Sequence, residues 1–303
     1  MARIRKLLAT GCGGFVGSAV AHEMRPPWEF HALTRGPALL HREGQVWHAL
    51  NILSAPDLER VFNEVSPDVV IHAAACADID LCEADKDAAY DINVEVTRNL
   101  AQLCRARETR MILVSTDTVF DGTKGNYTES DPPGPVNWYA ETKAAAERVV
   151  ASLPSNWVVV RTSLVVGLPL LGSGKSSISR AVSVLQTGGE LAVSVREIRS
   201  PIDVVTLARA LIELAGEDFS GYLHLAGNDV LNRFDMTRRV AAKFGLPTHL
   251  VVARTSADAS GGAPRPLDVS LCNAKARSML KTPMLGLEAG LDLALSKKKG
   301  IVL

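Results

Sequence analysis

The sequence predicts an α/β protein built on a doubly wound parallel sheet, with a smaller discontinuous lobe. Three observations predict it. Apolar runs of strand length alternate with stretches of helical spacing, as in successive βαβ units. Hydrophobic residues make up 47% of the 303 and aromatics only 5%, which suits buried parallel strands of Ala, Val, Leu and Ile. The first apolar run also ends in a glycine-rich bend before a helical segment.

In chain order, strands are expected at Ile4 to Ala9, Phe30 to Leu33, Val69 to Ala73, Met111 to Ser115, Trp157 to Arg161 and Tyr222 to Leu225. Helices are expected at Phe15 to Met24, Pro56 to Val65, Ala88 to Arg107, Trp138 to Ser152 and Val204 to Ala215. The second helix has a good opening, with Ser54 as cap candidate, Pro56 in the first turn and acidic Asp57 and Glu59 behind it. Residues 167–202 and 228–303 break the alternation, the latter with a Gly/Pro/Ser-rich stretch over 256–266, and are assigned to the lobe. Residues 1–166 and about 203–227 are assigned to the sheet domain.

Thirty-three basic residues balance thirty-three acidic ones, so no single-sign field draws in nucleic acid or a membrane surface. No apolar run approaches the roughly 20 residues of a membrane span. The first residues imitate a signal peptide, but glycines interrupt the apolar stretch, and a cytoplasmic chain is expected. The five cysteines show no Cys-x-x-Cys pair and no zinc-ligand spacing, and are read as reduced thiols. His72 is read as a packed strand-end residue and no metal site is expected.

The bend Thr10-Gly11-Cys12-Gly13-Gly14-Phe15-Val16-Gly17 carries Gly11, Gly14 and Gly17 as G-x-x-G-x-x-G. The first glycine allows the tight turn, the second lets backbone approach a pyrophosphate, and the third lets helix pack on strand, as in Rossmann-type nucleotide sites. The helix N-terminus offers unpaired N–H groups and partial positive charge to phosphates. Arg35, at the end of the second strand, presents a guanidinium fork suited to a 2′-phosphate, so NADP(H) is expected over NAD(H).

Tyr139 and Lys143 stand as Tyr-x-x-x-Lys on one face of a helix. Reducing a ketone needs a proton for its oxygen, and a phenol of pKa about 10 suits neutral pH better when a cation lowers that value. Lys143 is expected to supply the charge and to bond the cofactor ribose. Thr116, at the carboxyl end of a buried strand, is expected to orient the substrate oxygen, with Ser115 as competitor.

The chain resembles the extended short-chain dehydrogenase/reductases, and within them the dTDP-4-dehydrorhamnose reductase group. The resemblance is carried by Gly11 to Gly17, His72 to Ala75, Asp80 to Glu83, Asn93, Ser115 to Gly122, Tyr127 to Glu129 with Asp131, Pro135 to Tyr139, Glu141 to Lys143, Glu147 and Arg265 to Leu271. It implies hydride transfer from NADPH to a sugar C4 ketone, with Tyr139 as general acid, Lys143 on the ribose and Thr116 at the carbonyl. Ala73, Ala74 and Ala75 would border the cofactor with Asn51, Ile52 and Ser115, and Asp117, Lys175 and Arg265 are candidates for the substrate. The partner is then a nucleotide sugar, and a homodimer is the expected assembly. Thr118, Ala140, Asn51 and the stretch Val165 to Lys175 depart from the group's pattern. The same apparatus serves NAD-retaining sugar-nucleotide epimerases and dehydratases, and the resemblance extends to the regulatory subunit of methionine adenosyltransferase. Gly172 to Ser176 imitates a phosphate-binding loop, but Pro169 occupies the position of its earlier glycine.

Overall fold

The computed structural model describes residues 5–172, 176–255 and 262–297. Its centre is a sheet of seven strands: β1 (Lys6–Thr10), β2 (Glu29–Thr34), β3 (Gln45–Ala49), β4 (Val69–His72), β5 (Arg110–Thr116), β6 (Trp157–Thr162) and β7 (Gly221–Leu225). All pair in parallel, in the order β7-β6-β5-β4-β1-β2-β3. The order reverses between β1 and β4, so a crevice opens beyond their carboxyl ends, where open α/β sheets hold ligands.

Side-chain alternation along each strand divides two cores. Leu7, Ala9, Phe30, Ala32, Val69, Ile71, Ile112, Val158 and Val160 face helices α1 (Phe15–Glu23) and the later helix Val204–Gly216. Leu8, Leu33, Val70, Met111, Leu113 and Val159 face α2 (Ala55–Val65), α3 (Val96–Ala106) and α4 (Trp138–Ala151). A strand buried on both faces has no polar side to signal, which is why these segments read as continuous apolar runs.

The lobe packs helices Ser177–Gln186, Arg233–Lys243 and Leu287–Lys297 around Val182, Met236, Val240 and Leu291, beside a parallel pair of strands, Leu191–Ser194 and Val251–Arg254. Ala276, Leu280, Met284 and Ala294, from the last stretch of the chain, pack into the main core.

Two local features differ from expectation. The edge strand β3 was not expected, because Gln-Val-Trp-His-Ala is short, half-exposed and without clean alternation. The expected helix from Ala88 to Arg107 is three pieces, with a π turn at Asp91–Glu95 between Lys86–Tyr90 and α3. The wider turn swings Asn93 into the interior, where it is 1% exposed. The opening of α2 is as expected, with the Ser54 hydroxyl accepting from Asp57 N–H at 3.4 Å.

Phe62, buried between α2 and the sheet, tests the second core. Phe62→Ala lowers unfolding free energy by about 3–5 kcal/mol in urea titration; a loss under about 1 kcal/mol would mean that the α2 face is not closely packed.

Candidate active site

The nucleotide bend follows from steric necessity. Gly11 has φ +73°, and a Cβ there would lie 2.7 Å from Ala74 N and 2.8 Å from Ala73 C. A Cβ on Gly17 would collide with the Gly11 carbonyl, so α1 can dock on the bend only without a side chain at that point. Gly14 caps α1, and its N–H donates to Gly11 O at 2.8 Å.

A buried chain of hydrogen bonds holds the facing wall. Ala73 and Ala74 N–H donate to Thr10 Oγ1 at 3.2 and 3.1 Å, and Thr10 Oγ1 lies 2.7 Å from His72 Nδ1. On the other side, His72 Nε2 lies 3.0 Å from Thr97 Oγ1, which donates to Asn93 O at 2.7 Å. The Thr97 proton is committed to Asn93, so His72 carries its proton on Nε2 and accepts from Thr10 at Nδ1. Burial, with the Lys143 charge, lowers the His72 pKa to about 3 and keeps the ring neutral. His72 is thus a strand-end tether, as the sequence implies.

The resulting crevice, about 390 Å³, is lined by Gly11, Gly13, Gly14, Arg35, Ile52, Ala73, Ala74 and Ala75, all expected from sequence. Thr34, Gly36, Pro37, Leu39, Leu50 and Ile92 also line it. Sequence reasoning missed Pro37, Leu39, Leu50 and Ile92 because apolar side chains in turns and at element ends carry no chemical signal. Arg35 is exposed and, among the described residues, has no hydrogen bond or ion pair. Asn51 is not in the lining; its carboxamide accepts from Leu53 N–H at 3.2 Å within its own turn. Phe15, Val16 and Gly17 support the bend on α1 rather than facing the crevice.

The catalytic candidates meet at the carboxyl end of β5. Asn137 opens α4 by accepting from Ala140 N–H at 2.9 Å, and its amide donates to Pro264 O at 2.9 Å. The next residues of that helix bring Tyr139, 9% exposed, to Thr116, 8% exposed. Burial pushes the phenol well above its ordinary pKa, the bonded Thr116 hydroxyl draws it partly back, and the Asp117 carboxylate adds an upward push. This corrects the expected depression by Lys143. The phenol is set by desolvation and stays protonated, the state a proton donor needs.

Lys143 is 2% exposed and donates to Val114 O at 2.8 Å. Burial lowers its pKa to about 8, against an opposing pull from Glu147. Glu147 is saturated: Ser115 Oγ donates to Oε1 at 2.5 Å, and Arg161 Nη2 donates to Oε2 at 2.8 Å. Ser115 therefore pins β5 to α4 instead of facing the crevice. Arg161 also lies over the rings of Phe120 and Tyr222, at 4.9 and 4.5 Å from their centroids.

Asp117 is 3% exposed and lies beneath the site, accepting from Ser163 Oγ at 2.9 Å and from Thr116 Oγ1 at 3.3 Å. Its carboxylate is 3.8 Å from Arg199, which stands 3.8 Å from Glu197. That contact leads to a second cavity of about 480 Å³. Its lining includes Asp80, Arg180, Glu197, Arg233, Arg254 and Arg265. Among the described residues, the Nε atoms of Arg233 and Arg254 are buried without a hydrogen-bond partner. Arg265 is held by Asp80 at 3.0 and 2.7 Å. Of the expected substrate residues, Arg265 lines this cavity, Asp117 sits below the catalytic group, and Lys175 lies outside the described residues. The arginine cluster was not legible because Arg199, Arg233 and Arg254 are far apart in sequence. Among the described residues no cluster of side chains could hold a metal ion, and no helix is long and apolar enough to cross a membrane.

Comparison with known proteins gives the family and agrees with the fold. The model of the RmlD substrate binding domain matches residues 5–299. The chain belongs to that family. It is 32% identical over 269 residues to dTDP-4-dehydrorhamnose reductase of Mycobacterium tuberculosis, covering 87% of this chain and 83% of that one. It is 30% identical over 277 residues to methionine adenosyltransferase 2 subunit beta of Danio rerio, covering 88% and 82%. A solved structure, a hypothetical dTDP-4-dehydrorhamnose reductase from Sulfolobus tokodaii, superposes with TM-score 0.81 at 30% identity, covering 95% of this chain and 99% of the other.

Glu147→Gln leaves the Arg161 guanidinium buried beside a neutral amide. It is expected to cost about 3–5 kcal/mol of stability in denaturant titration. Loss of the carboxylate also removes the upward pull on Lys143. The alkaline limb of the rate profile, expected near pH 8 where the ammonium deprotonates, then moves to lower pH. An unmoved limb would separate Glu147 from Lys143.

Proposed function

We propose that this protein is an NADPH-dependent reductase of a 4-keto nucleotide sugar. The observation that carries the reading is a buried Tyr139, kept protonated by desolvation and influenced by the Thr116 hydroxyl, with Lys143 on the same helix; a glycine-walled crevice on the same sheet supports it. The crevice suits a dinucleotide, since Gly11 and Gly17 let the bend pack tightly against Ala73–Ala74 and α1, and Arg35, exposed at its edge, has no partner among the described residues. Gly11, Gly13 and Gly14 would hold its diphosphate, Arg35 the 2′-phosphate and Ala73 to Ala75 its nicotinamide half. The cofactor, when bound, supplies the hydride.

The chain's own residues then do the rest. Thr116 and Tyr139 hold the ketone oxygen, and Tyr139 passes it a proton from its phenol oxygen. Lys143, ammonium below about pH 8, bonds the cofactor ribose and leaves a positive charge near the phenolate that remains. Asp117 orients Thr116. The arginines of the second cavity, two of whose Nε atoms have no partner among the described residues, suit a diphosphate on the substrate, with Arg265 as a further contact; Lys175, outside the described residues, stays a candidate for the same diphosphate. All five cysteines are free thiols, which supports a cytoplasmic setting; the homodimer stands as the proposed assembly.

A second reading is supported by the likeness to the methionine adenosyltransferase subunit, namely a regulatory chain acting through a partner. Turnover separates the two. The purified protein is expected to oxidise NADPH stoichiometrically with a 4-keto nucleotide sugar from a panel, whereas no turnover together with copurification of a synthetase would favour the regulatory reading.

Tyr139→Phe lowers kcat by roughly 10²- to 10⁴-fold with NADPH affinity nearly intact; undiminished turnover would remove Tyr139 as the acid. Arg35→Ala raises KM for NADPH far more than for NADH, and equal changes would remove the 2′-phosphate contact.

A further inference from the structure

Beyond the reductase site, one pair of groups has no part in that chemistry yet lies against it. Cys76 follows directly on the crevice wall Ala73 to Ala75. Cys82 sits in the short helix Ile79–Ala84. Their sulfurs are 3.5 Å apart, and the Cys82 thiol also donates to Cys76 O at 3.4 Å. No other thiol pair is in contact among the described residues.

A disulfide spans about 2.0 Å between sulfurs, so bonding requires an approach of about 1.5 Å, within reach of side-chain rotation and a small shift of the linking turn. The two thiols are unlike. Cys76 is half-buried, whereas Cys82 is 0% exposed and packs with Ala89 against Tyr139. Burial and the contact with Cys76 push the Cys82 thiol up to about 12.

From this geometry we infer that Cys76 and Cys82 form a reversible disulfide under peroxide-class oxidants, and that the disulfide closes down the active site. The Cys76 sulfur attacks a peroxide oxygen. An S–O bond forms, the O–O bond breaks, and a water leaves with the transferred protons, giving a sulfenic acid. The Cys82 sulfur then displaces that hydroxyl: the S–S bond forms, the S–O bond breaks, and the Cys82 proton leaves in a second water. The two thiols supply the two electrons that reduce the peroxide. Cys82, being buried, does not meet peroxide itself, and its sulfur gives up its proton to the departing hydroxyl as it attacks the sulfenic acid.

The consequence follows from what the linking segment holds. At one end Asn93 clamps Cys76 by both its N–H, at 2.8 Å, and its carbonyl, at 3.1 Å, so displacing Cys76 strains the nicotinamide wall. In the middle, Asp80 holds Arg265 and accepts from Ala263 N–H at 3.2 Å. At the other end Cys82 shares a small buried cluster with Ala89 and Tyr139. One short bond therefore pulls on cofactor wall, proton donor and second cavity together. The disulfide itself is independent of the proposed reductase activity; its effects on NADPH affinity and on turnover rest on that reading.

The test treats the purified full chain with hydrogen peroxide, maps thiols by mass spectrometry of an unreduced digest, and measures NADPH affinity and turnover before and after dithiothreitol. A Cys76–Cys82 cross-link is expected, with NADPH affinity and turnover lost in step with it and restored by reduction. In Cys82→Ala, judged against its own untreated rate, no cross-link forms and Cys76 proceeds to sulfinic acid that dithiothreitol does not reverse. Oxidised Cys76 without a cross-link in the unmutated chain would overturn the inference, as would a cross-linked chain with unchanged NADPH affinity. The cross-link and the affinity are both read without any sugar substrate, so a failed reductase reading would show separately, as absent turnover in the untreated protein.

Discussion

The docking of α4 on the carboxyl ends of β5 and β6 is the constraint on which the site depends. Glu147 anchors it, taking the Arg161 guanidinium from β6 and the Ser115 hydroxyl from β5 into one carboxylate. A buried ion pair is a costly anchor, because both charges lose water and recover it only with good geometry and further bonds. Here nearly every lone pair of Glu147 is used, and the guanidinium lies over two rings, though Arg161 Nη1 remains buried without a partner. The helix so held sets Tyr139 against Thr116 and Lys143 against Val114 O.

The crevice depends on a second, uncharged device. Thr10, His72, Thr97 and Asn93 form a directed line of hydrogen bonds in which each proton has one place to go. That line ties the ends of β1 and β4 to α3 and the π turn, and so holds the Ala73–Ala74 backbone close to Gly11. It is a neutral network in a dry interior, and it works only while His72 stays uncharged. The π turn belongs to the same device, since it aims Asn93 at Cys76 and at Thr142 Oγ1, 2.9 Å away.

Much of this was legible in the chain. The strands of the buried sheet, the glycine bend, the Tyr-x-x-x-Lys helix and the strand-end hydroxyls are local patterns, and each lies within a dozen or so residues. Local pattern failed at β3, where an edge strand needs no alternation, and at the π turn, where one residue more per turn leaves no trace in hydrophobic spacing. Nor does local pattern reveal that Asp117 is buried and accepts from the Thr116 hydroxyl.

The sequence by itself determined the fold class, the glycine bend and the placing of Tyr139 and Lys143 on one face of one helix, because those rest on backbone sterics and on spacings along one element. Only the tertiary structure decided the protonation of Tyr139, the neutrality of His72, the saturation of Glu147, the arginine-lined cavity and the meeting of Cys76 with Cys82. The physical reason is that desolvation and Coulomb interaction depend on distances through space, and the residues that set them come from separate strands, helices and turns.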